Sequence, residues 1–311
     1  PLAATVEAGC CAQVMTGALI PEGADAVVIV EHTGGFVDDV AEIRASTTPG
    51  ANIRRRGEEL GAGTSLLAAG TTVGPAELGS LVTFGATEVA VRRRPKIALF
   101  STGDELREPG EELGAGDIYN ANLPVLAAIA RDLGAEVVHS GVIRDEPASL
   151  ERFLGEALRS ADIICASGGV SMGRFDHVPS ALRDLGAEEV LWKVAQKPGK
   201  PLFVAKAPSS LFFGLPGNPV STLTCFIAYV VPRLRALCGL APPASLRVPL
   251  AAPFPRQAAK HRFLFGQLSC DQGGKLVARP ASRLGSHMGS AALSANALLE
   301  GQSGSGKANA M

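Results

Sequence analysis

Between Pro95 and Gly239 short apolar runs alternate with longer stretches of helical periodicity, and this βαβ rhythm restricts the middle of the chain to a mainly parallel sheet covered by helices. The predicted strands are KIALF (96–100), EVVHSGVI (136–143), DIICAS (162–167), VLWKVA (190–195), PLFVAK (201–206) and SLFFGL (210–215). The predicted helices are NLPVLAAIARDLG (122–134), EPASLERFLGEALRSA (146–161), DHVPSALRDLG (176–186) and PVSTLTCFIAYVVPRLRALCG (219–239). Pro124 and Pro147 suit first turns, and Gly134 suits a C-terminal cap. The fold class expected is α/β, multidomain, with small β modules on either side of the central sheet.

The chain has 311 residues, more than the roughly 250 that one core usually serves. Residues 1–53, with GADAVVIVEHT (23–33) and DVAEIRAS (39–46), read as a small mostly-β module, and 54–94 as a connecting α/β segment with a helix beginning near Gly74-Pro75 and a strand before the basic triplet 92–94. Residues 95–243 form the α/β domain, 244–300 a C-terminal small β domain, and 301–311 a flexible tail. The opening PLAATVEAGCC lacks Met and reads as an internal start, incomplete at its N-terminus.

Lys plus Arg number 29 and Asp plus Glu 30, so no global field recruits nucleic acid or an acidic membrane, although a local anion site stays open. The apolar run LTCFIAYVVPRL (223–234) falls short of the roughly 18–20 residues a membrane span needs. Six cysteines, at 10, 11, 165, 225, 238 and 270, show no C-x-x-C pair and no zinc-spaced His, and read as buried reduced thiols of a cytoplasmic protein.

In an open parallel sheet, ligands bind beyond the carboxyl ends of the strands. Five loops there carry unusual chemistry: STGDEL (101–106), IRDEP (143–147), SGGVSMGRFD (167–176), KPGKP (197–201) and LPGNP (215–219). The third packs Ser167, Gly168, Gly169 and Ser171 into a turn suited to a phosphate and ends on Asp176, without a P-loop lysine or Gly-x-Gly-x-x-Gly spacing. Glu105, Asp145 and Asp176 are expected to converge with Lys193, Lys197 and Lys200, carboxylates suiting Mg²⁺ and lysines suiting phosphate oxygens. Each has a plainer alternative. Asp145 and Asp176 suit N-caps worth about 1 kcal/mol, Glu105 a solvated loop, KPGKP a surface turn and LPGNP a rigid βα turn. His139 and His177 read as satisfied polar residues and Trp192 as packing.

STGDEL, GDIYNAN, GVIRDEP, SGGVSMGRFD, WKVAQKPGKP and FFGLPGNPVST, in that order, resemble the molybdopterin molybdotransferase family, MoeA and the E domain of gephyrin. The resemblance extends through VMTGALIPEGADAVVIVE (14–31), NIRRRGEEL (52–60) and LGSHMGS (284–290). It implies molybdenum insertion into adenylylated molybdopterin, with molybdate and Mg²⁺ required and AMP released, by a homodimer with its active site in a cleft between subunits. A molybdopterin adenylyltransferase is an implied partner. The resemblance places functional positions at Thr16, Glu105, Asp145, Asp176, Lys193, Lys197, Pro216, Pro219 and Ser286, with Lys200 completing the anion pocket. Glu59 stands where members usually have aspartate, and Phe265 where they often have arginine. Two other readings stay open: molybdopterin adenylylation by the same fold, and a gephyrin-like scaffold that binds a peptide without catalysis.

Overall fold

In a computed structural model, described for residues 5–144, 146–169, 177–254, 260–282, 285–301 and 308–310, the chain divides into two compact units, Pro1–Thr87 and Glu88–Met311. Among the described residues the first holds an antiparallel ribbon, β1 (Thr33–Val37) and β2 (Val40–Ile43), a 3-10 turn at Val30–His32 and the helix α1 (Pro75–Thr83). Asp38 and Asp39 adopt left-handed φ values of 48° and 62°, which closes a two-residue hairpin turn. Helix α1 starts where Gly74-Pro75 predicts: proline fills a position whose N–H has no helical acceptor, and Glu77 Oε2 accepts the Gly74 amide at 3.0 Å. Of the strand expected at 23–33 only Thr33 joins a ladder, as the first residue of β1, while Val30–His32 form the 3-10 turn, and the strand expected just before 92–94 does not form. Residues 25–27 are held by a neighbouring loop instead, with Gly50 N donating to Asp25 O, Val27 N to Ala51 O, and the Asn52 side chain to Val27 O.

In the second unit the elements run β3 (Lys96–Thr102), β4 (Leu106–Arg107), β5 (Ile118–Tyr119), α2 (Asn122–Asp132), β6 (Glu136–Ile143), α3 (Pro147–Ser160), β7 (Ile163–Ser167) and α4 (Val178–Asp184). Next come β8 (Glu188–Trp192), β9 (Gln196–Lys197), β10 (Phe203–Lys206), β11 (Leu211–Leu215), α5 (Pro219–Cys225), a π-helical turn (Phe226–Val230) and α6 (Val231–Leu237). Six strands form one sheet in the order β6-β3-β7-β11-β10-β8, parallel except at the reversed β10. β8 ends three residues earlier than expected from VLWKVA, at Trp192, because Lys193 turns the chain with a φ of 69°.

The two-residue period of the strands divides the core into two layers. Ile97, Leu99, Ile163, Cys165, Phe213 and Leu215 pack with Leu123 and Leu126 of α2 and with Phe226, Val230 and Leu234. On the other face Ala98, Phe100, Ile164, Ala166 and Phe212 pack with Leu150 and Leu154 of α3 and Val178 and Leu182 of α4. Continuous burial along β7 follows from having helices on both faces.

Pro219–Leu237 forms one helical run of 19 residues, long and apolar enough by composition to cross a membrane, unlike the shorter run read from the sequence. Half of its window is buried in the protein, and Cys225, Phe226, Val230 and Leu234 are fully buried in the core, which makes it a core helix. Pro232 lacks an N–H and crowds the preceding turn, and the chain accommodates it with the π turn, in which Val231 N donates to Phe226 O.

A second sheet joins β13 (Leu276–Pro280), β12 (His261–Cys270), β14 (Ala297–Gly301) and β15 (Ala308–Ala310), with β9 running parallel along β12. Residues 301–311, expected as a flexible tail, thus contribute Gly301 to β14 and 308–310 as β15. The expectation of buried thiols holds for Cys165 and Cys225 but not for Cys10, Cys11 and Cys270, which are exposed in short polar turns and at a strand end. Burial pushes the Cys165 thiol far up, which keeps it protonated and inert.

Asp162 ties the far end of the sheet together, accepting from Arg93 at 2.6 and 2.8 Å and from the Lys96 amide at 2.7 Å. The Arg93 hydrogen bonds hold its carboxyl below the usual range while burial opposes them. The unfolded chain therefore binds this proton more readily, so the stabilisation is present above about pH 4 and is lost as pH falls through the folded value. Arg93 is largely exposed and its charge screened, so Asp162→Asn is expected to cost about 1 kcal/mol at pH 7 and less in acid, as read by thermal denaturation along a pH series.

Candidate functional site

The carboxyl ends of β3, β6, β7, β11 and β8 open on one edge of the six-stranded sheet, and β10 begins there. A cleft of about 680 Å³ lies on that edge. Ser101 and Thr102 end β3 at its floor, Ser167, Gly168 and Gly169 follow from β7, and Pro216 to Pro219 follow from β11. Asn122 stitches the last two segments together, its amide donating to Ser167 Oγ and to Gly217 O, both at 2.8 Å. Gly168 and Gly169 adopt φ values of 94° and 67°, and a Cβ on Gly169 would sit 2.5 Å from Thr102 Oγ1, so the turn packs directly on the end of β3. The Gly168 amide donates to Leu215 O at 3.0 Å, extending the ladder between β7 and β11. This corrects the expectation that Gly168 offers its N–H to an anion: it shapes the cleft instead.

Glu105 is exposed on the cleft wall with its carboxylate over Gly103, where an added Cβ would meet Oε2 at 2.6 Å. Among the described residues no three His, Cys, Asp or Glu side chains gather around one ion position. Hard oxygen donors do line the cleft, and Mg²⁺ characteristically takes one or two carboxylates with the rest of its shell from phosphate and water. Glu105 fits that role. Asp145, Ser171 and Asp176 lie outside the described residues.

A second cavity of about 440 Å³ adjoins the first, sharing Pro201 and His287 with it. Its charged lining is all cationic among the described residues: Lys197, Lys200, Lys260 and Arg262, joined by Ser286. The β9–β12 pairing sets Lys197 directly opposite Arg262, so the two cations are held by a strand register rather than by flexible loops. Arg262 Nε is buried with no hydrogen-bond partner among the described residues. A buried guanidinium nitrogen without an acceptor is costly. Ser286 is held by Asn218, whose amide donates to its Oγ at 3.4 Å, and by Val220 N, which donates to its carbonyl at 3.0 Å.

Residues 98–236, which supply most of the larger cleft, match a family model described as a probable molybdopterin binding domain. Residues 2–85 match the MoeA N-terminal region (domain I and II), and 247–310 the MoeA C-terminal region (domain IV). The crystal structure of the molybdopterin biosynthesis moea protein from Pyrococcus horikosii is 30% identical, with a TM-score of 0.78 over 98% of this chain and 76% of that one. The chain belongs to the MoeA family. The molybdopterin molybdenumtransferase of Nostoc sp. is 40% identical over 240 residues, 76% of this chain and 55% of that one. Molybdopterin molybdenumtransferase 2 of Mycobacterium tuberculosis is 43% identical over 238 residues, 74% of this chain and 58% of that one. The MoeA-family chain thus spans little more than half the length of these curated relatives.

Of the residues singled out from sequence in this MoeA-family chain, Glu105, Ser167, Gly168, Gly169, Pro216 and Pro219 line the larger cleft and Lys197, Lys200 and Ser286 the second. Lys193 lines neither: its ammonium lies 4.7 Å from the ring centroid of Trp192 at the edge of the sheet. Trp192 packs edge-on against Phe203 while remaining partly exposed. Thr16 and Glu59 are exposed in the N-terminal unit. Sequence reasoning missed Arg262, Asn122 and His287. Phe265, which stands at the family's arginine position, is buried with Phe263 and Leu298, while Arg262 three residues earlier supplies a guanidinium to the same cavity.

Proposed function

We propose that the chain carries out molybdopterin molybdenumtransferase chemistry: molybdate and adenylylated molybdopterin are its substrates, molybdenum passes to the pterin dithiolene, and AMP is released. The observation that carries this reading is the pair of adjoining cavities, one an oxygen-lined cleft beyond the strand ends and the other lined by four cations.

The second cavity suits a small tetrahedral dianion. Lys197, Lys200 and Arg262 supply N–H donors and Ser286 a hydroxyl, with the guanidinium able to present two parallel donors. The larger cleft, with Glu105 on its wall, suits the phosphoanhydride of the adenylate, and the resemblance assigns Asp145 and Asp176 to the same reaction. Glu105 and Asp176 would hold Mg²⁺, which would supply neutralisation of phosphate charge and polarisation of the P–O bond. Water adds across the anhydride, its oxygen to one phosphorus and the bridging oxygen leaving with the other, so that AMP departs. Lys193 steers the anionic substrate toward the edge of the sheet, and His287 lines both cavities. Thr16 and Glu59 belong to the same function by resemblance. A homodimer, a molybdopterin adenylyltransferase partner that hands over the substrate, and a cytoplasmic setting complete the proposal.

The test is AMP release from adenylylated molybdopterin with Mg²⁺ and molybdate present or omitted. Release that requires molybdate and falls about 100-fold or more in Asp176→Asn is expected from loss of a charge-stabilising carboxylate. Turnover unchanged in that variant removes the role given to Asp176. Turnover indifferent to molybdate removes the reading.

A further inference from the structure

We infer that Gln196 is a positioning residue of the cationic cavity: it fixes the turn that carries Lys197 and Lys200, and oxyanion affinity depends on it. This rests on the oxyanion reading of that cavity.

Lysine ammonium groups ride on long flexible stems, so their convergence requires a fixed backbone beneath them. In this turn every carbonyl from Pro198 to Lys200 has a partner. Gln196 Nε2 donates to Pro198 O at 3.0 Å and to Cys225 Sγ at 3.5 Å, and its Oε1 accepts from the Tyr229 hydroxyl. The Cys225 thiol in turn reaches Gly199 O at 3.8 Å, and Val194 N donates to Lys200 O at 3.0 Å. Both amide hydrogens and the oxygen of Gln196 are thereby used, although the residue is only 2% exposed. If packing alone were required, an unbranched apolar side chain would fill this space without the cost of desolvating an amide.

The turn is pressed onto this network. Gly199 has a φ of 93°, and a Cβ there would lie 2.4 Å from Cys225 Sγ and 2.6 Å from Gln196 Nε2. Tyr229 reaches Gln196 from the π-helical turn, so the irregularity at Pro232 has a consequence at the cavity. Burial pushes the Tyr229 phenol and the Cys225 thiol each up to about 12, which keeps both as proton donors across the neutral range.

The experiment is calorimetric titration of molybdate and of tungstate into the full chain, comparing wild type with Gln196→Met, Tyr229→Phe, the double variant and Lys200→Met, with the Tm of each recorded. Gln196→Met preserves shape and removes the hydrogen bonds, and is expected to weaken binding about tenfold. Tyr229→Phe, which is conservative enough to fold if Gln196→Met does not, is expected to weaken it about threefold. Because Tyr229 acts through Gln196, the double variant is expected to bind no more weakly than Gln196→Met. Additive losses in the double variant overturn that route. Wild-type affinity in Gln196→Met or Tyr229→Phe, with only a lower Tm, shows a packing role and overturns the inference. If Lys200→Met weakens binding and Gln196→Met does not, the inference falls and the cavity reading stands; if wild type binds neither oxyanion, both fall.

Discussion

Arg262→Met is expected to weaken molybdate binding by about 10- to 100-fold, the range for losing hydrogen bonds from a charged donor in a partly dry site. The same change is expected to leave the Tm of the ligand-free protein unchanged or slightly raised. Arg262 Nε is buried without a partner among the described residues, a desolvation cost that methionine removes. Opposite signs for binding and stability distinguish an anion receptor from a structural arginine, whose removal lowers both. Calorimetry with molybdate, paired with thermal denaturation with and without it, reads the two quantities. Lys197, opposite Arg262 across the β9–β12 register, provides the companion variant. Lys197→Met is expected to lose affinity without the gain in Tm.

Gly169→Ala is expected to have the largest effect in the larger cleft. A methyl at this φ of 67° meets Thr102 Oγ1 at 2.5 Å and Val178 Cγ2 at 3.2 Å, so it adds a collision with two elements to the strain of a left-handed alanine. The turn must lift from β3, and the cleft floor moves with it. Stability is expected to fall by about 2–3 kcal/mol and AMP release by about 100-fold or more. Gly116→Ala is the control: its φ of 91° carries similar strain but nothing lies within 4 Å of the added carbon. It is expected to cost about 1 kcal/mol and leave turnover intact. Denaturation midpoints and AMP release for both variants check the pair.

Much of the central sheet was legible because burial on both faces makes its strands almost wholly apolar, as in IICAS, while proline and glycine mark the helix ends. The loops could be assigned to one edge for the same reason, since parallel strands separated by helices leave little choice. What local pattern did not reveal was assembled by long-range register. Gln196 and Lys197 look like part of a turn, yet they pair with His261 and Arg262, more than sixty residues away, and this pairing creates the cationic cavity. Arg262 carries no signal alone, because an arginine in an alternating strand ordinarily faces solvent. Most of the strand expected at 23–33 failed because side-chain and backbone groups of residues 50–52 offered Asp25 and Val27 other partners. Lys193 is placed with the anion-binding lysines by its position near the end of a predicted strand; in the structure β8 ends at Trp192 and the ammonium lies over the Trp192 ring.

The most direct measurement is anomalous X-ray scattering from crystals of the chain soaked in tungstate. The account requires a single strong tungsten peak in the cavity lined by Lys197, Lys200, Arg262 and Ser286, beside the larger cleft. That peak should be absent from Arg262→Met crystals soaked alike. A saturating soak that leaves this cavity without anomalous density, or that places tungsten elsewhere on the chain, contradicts it.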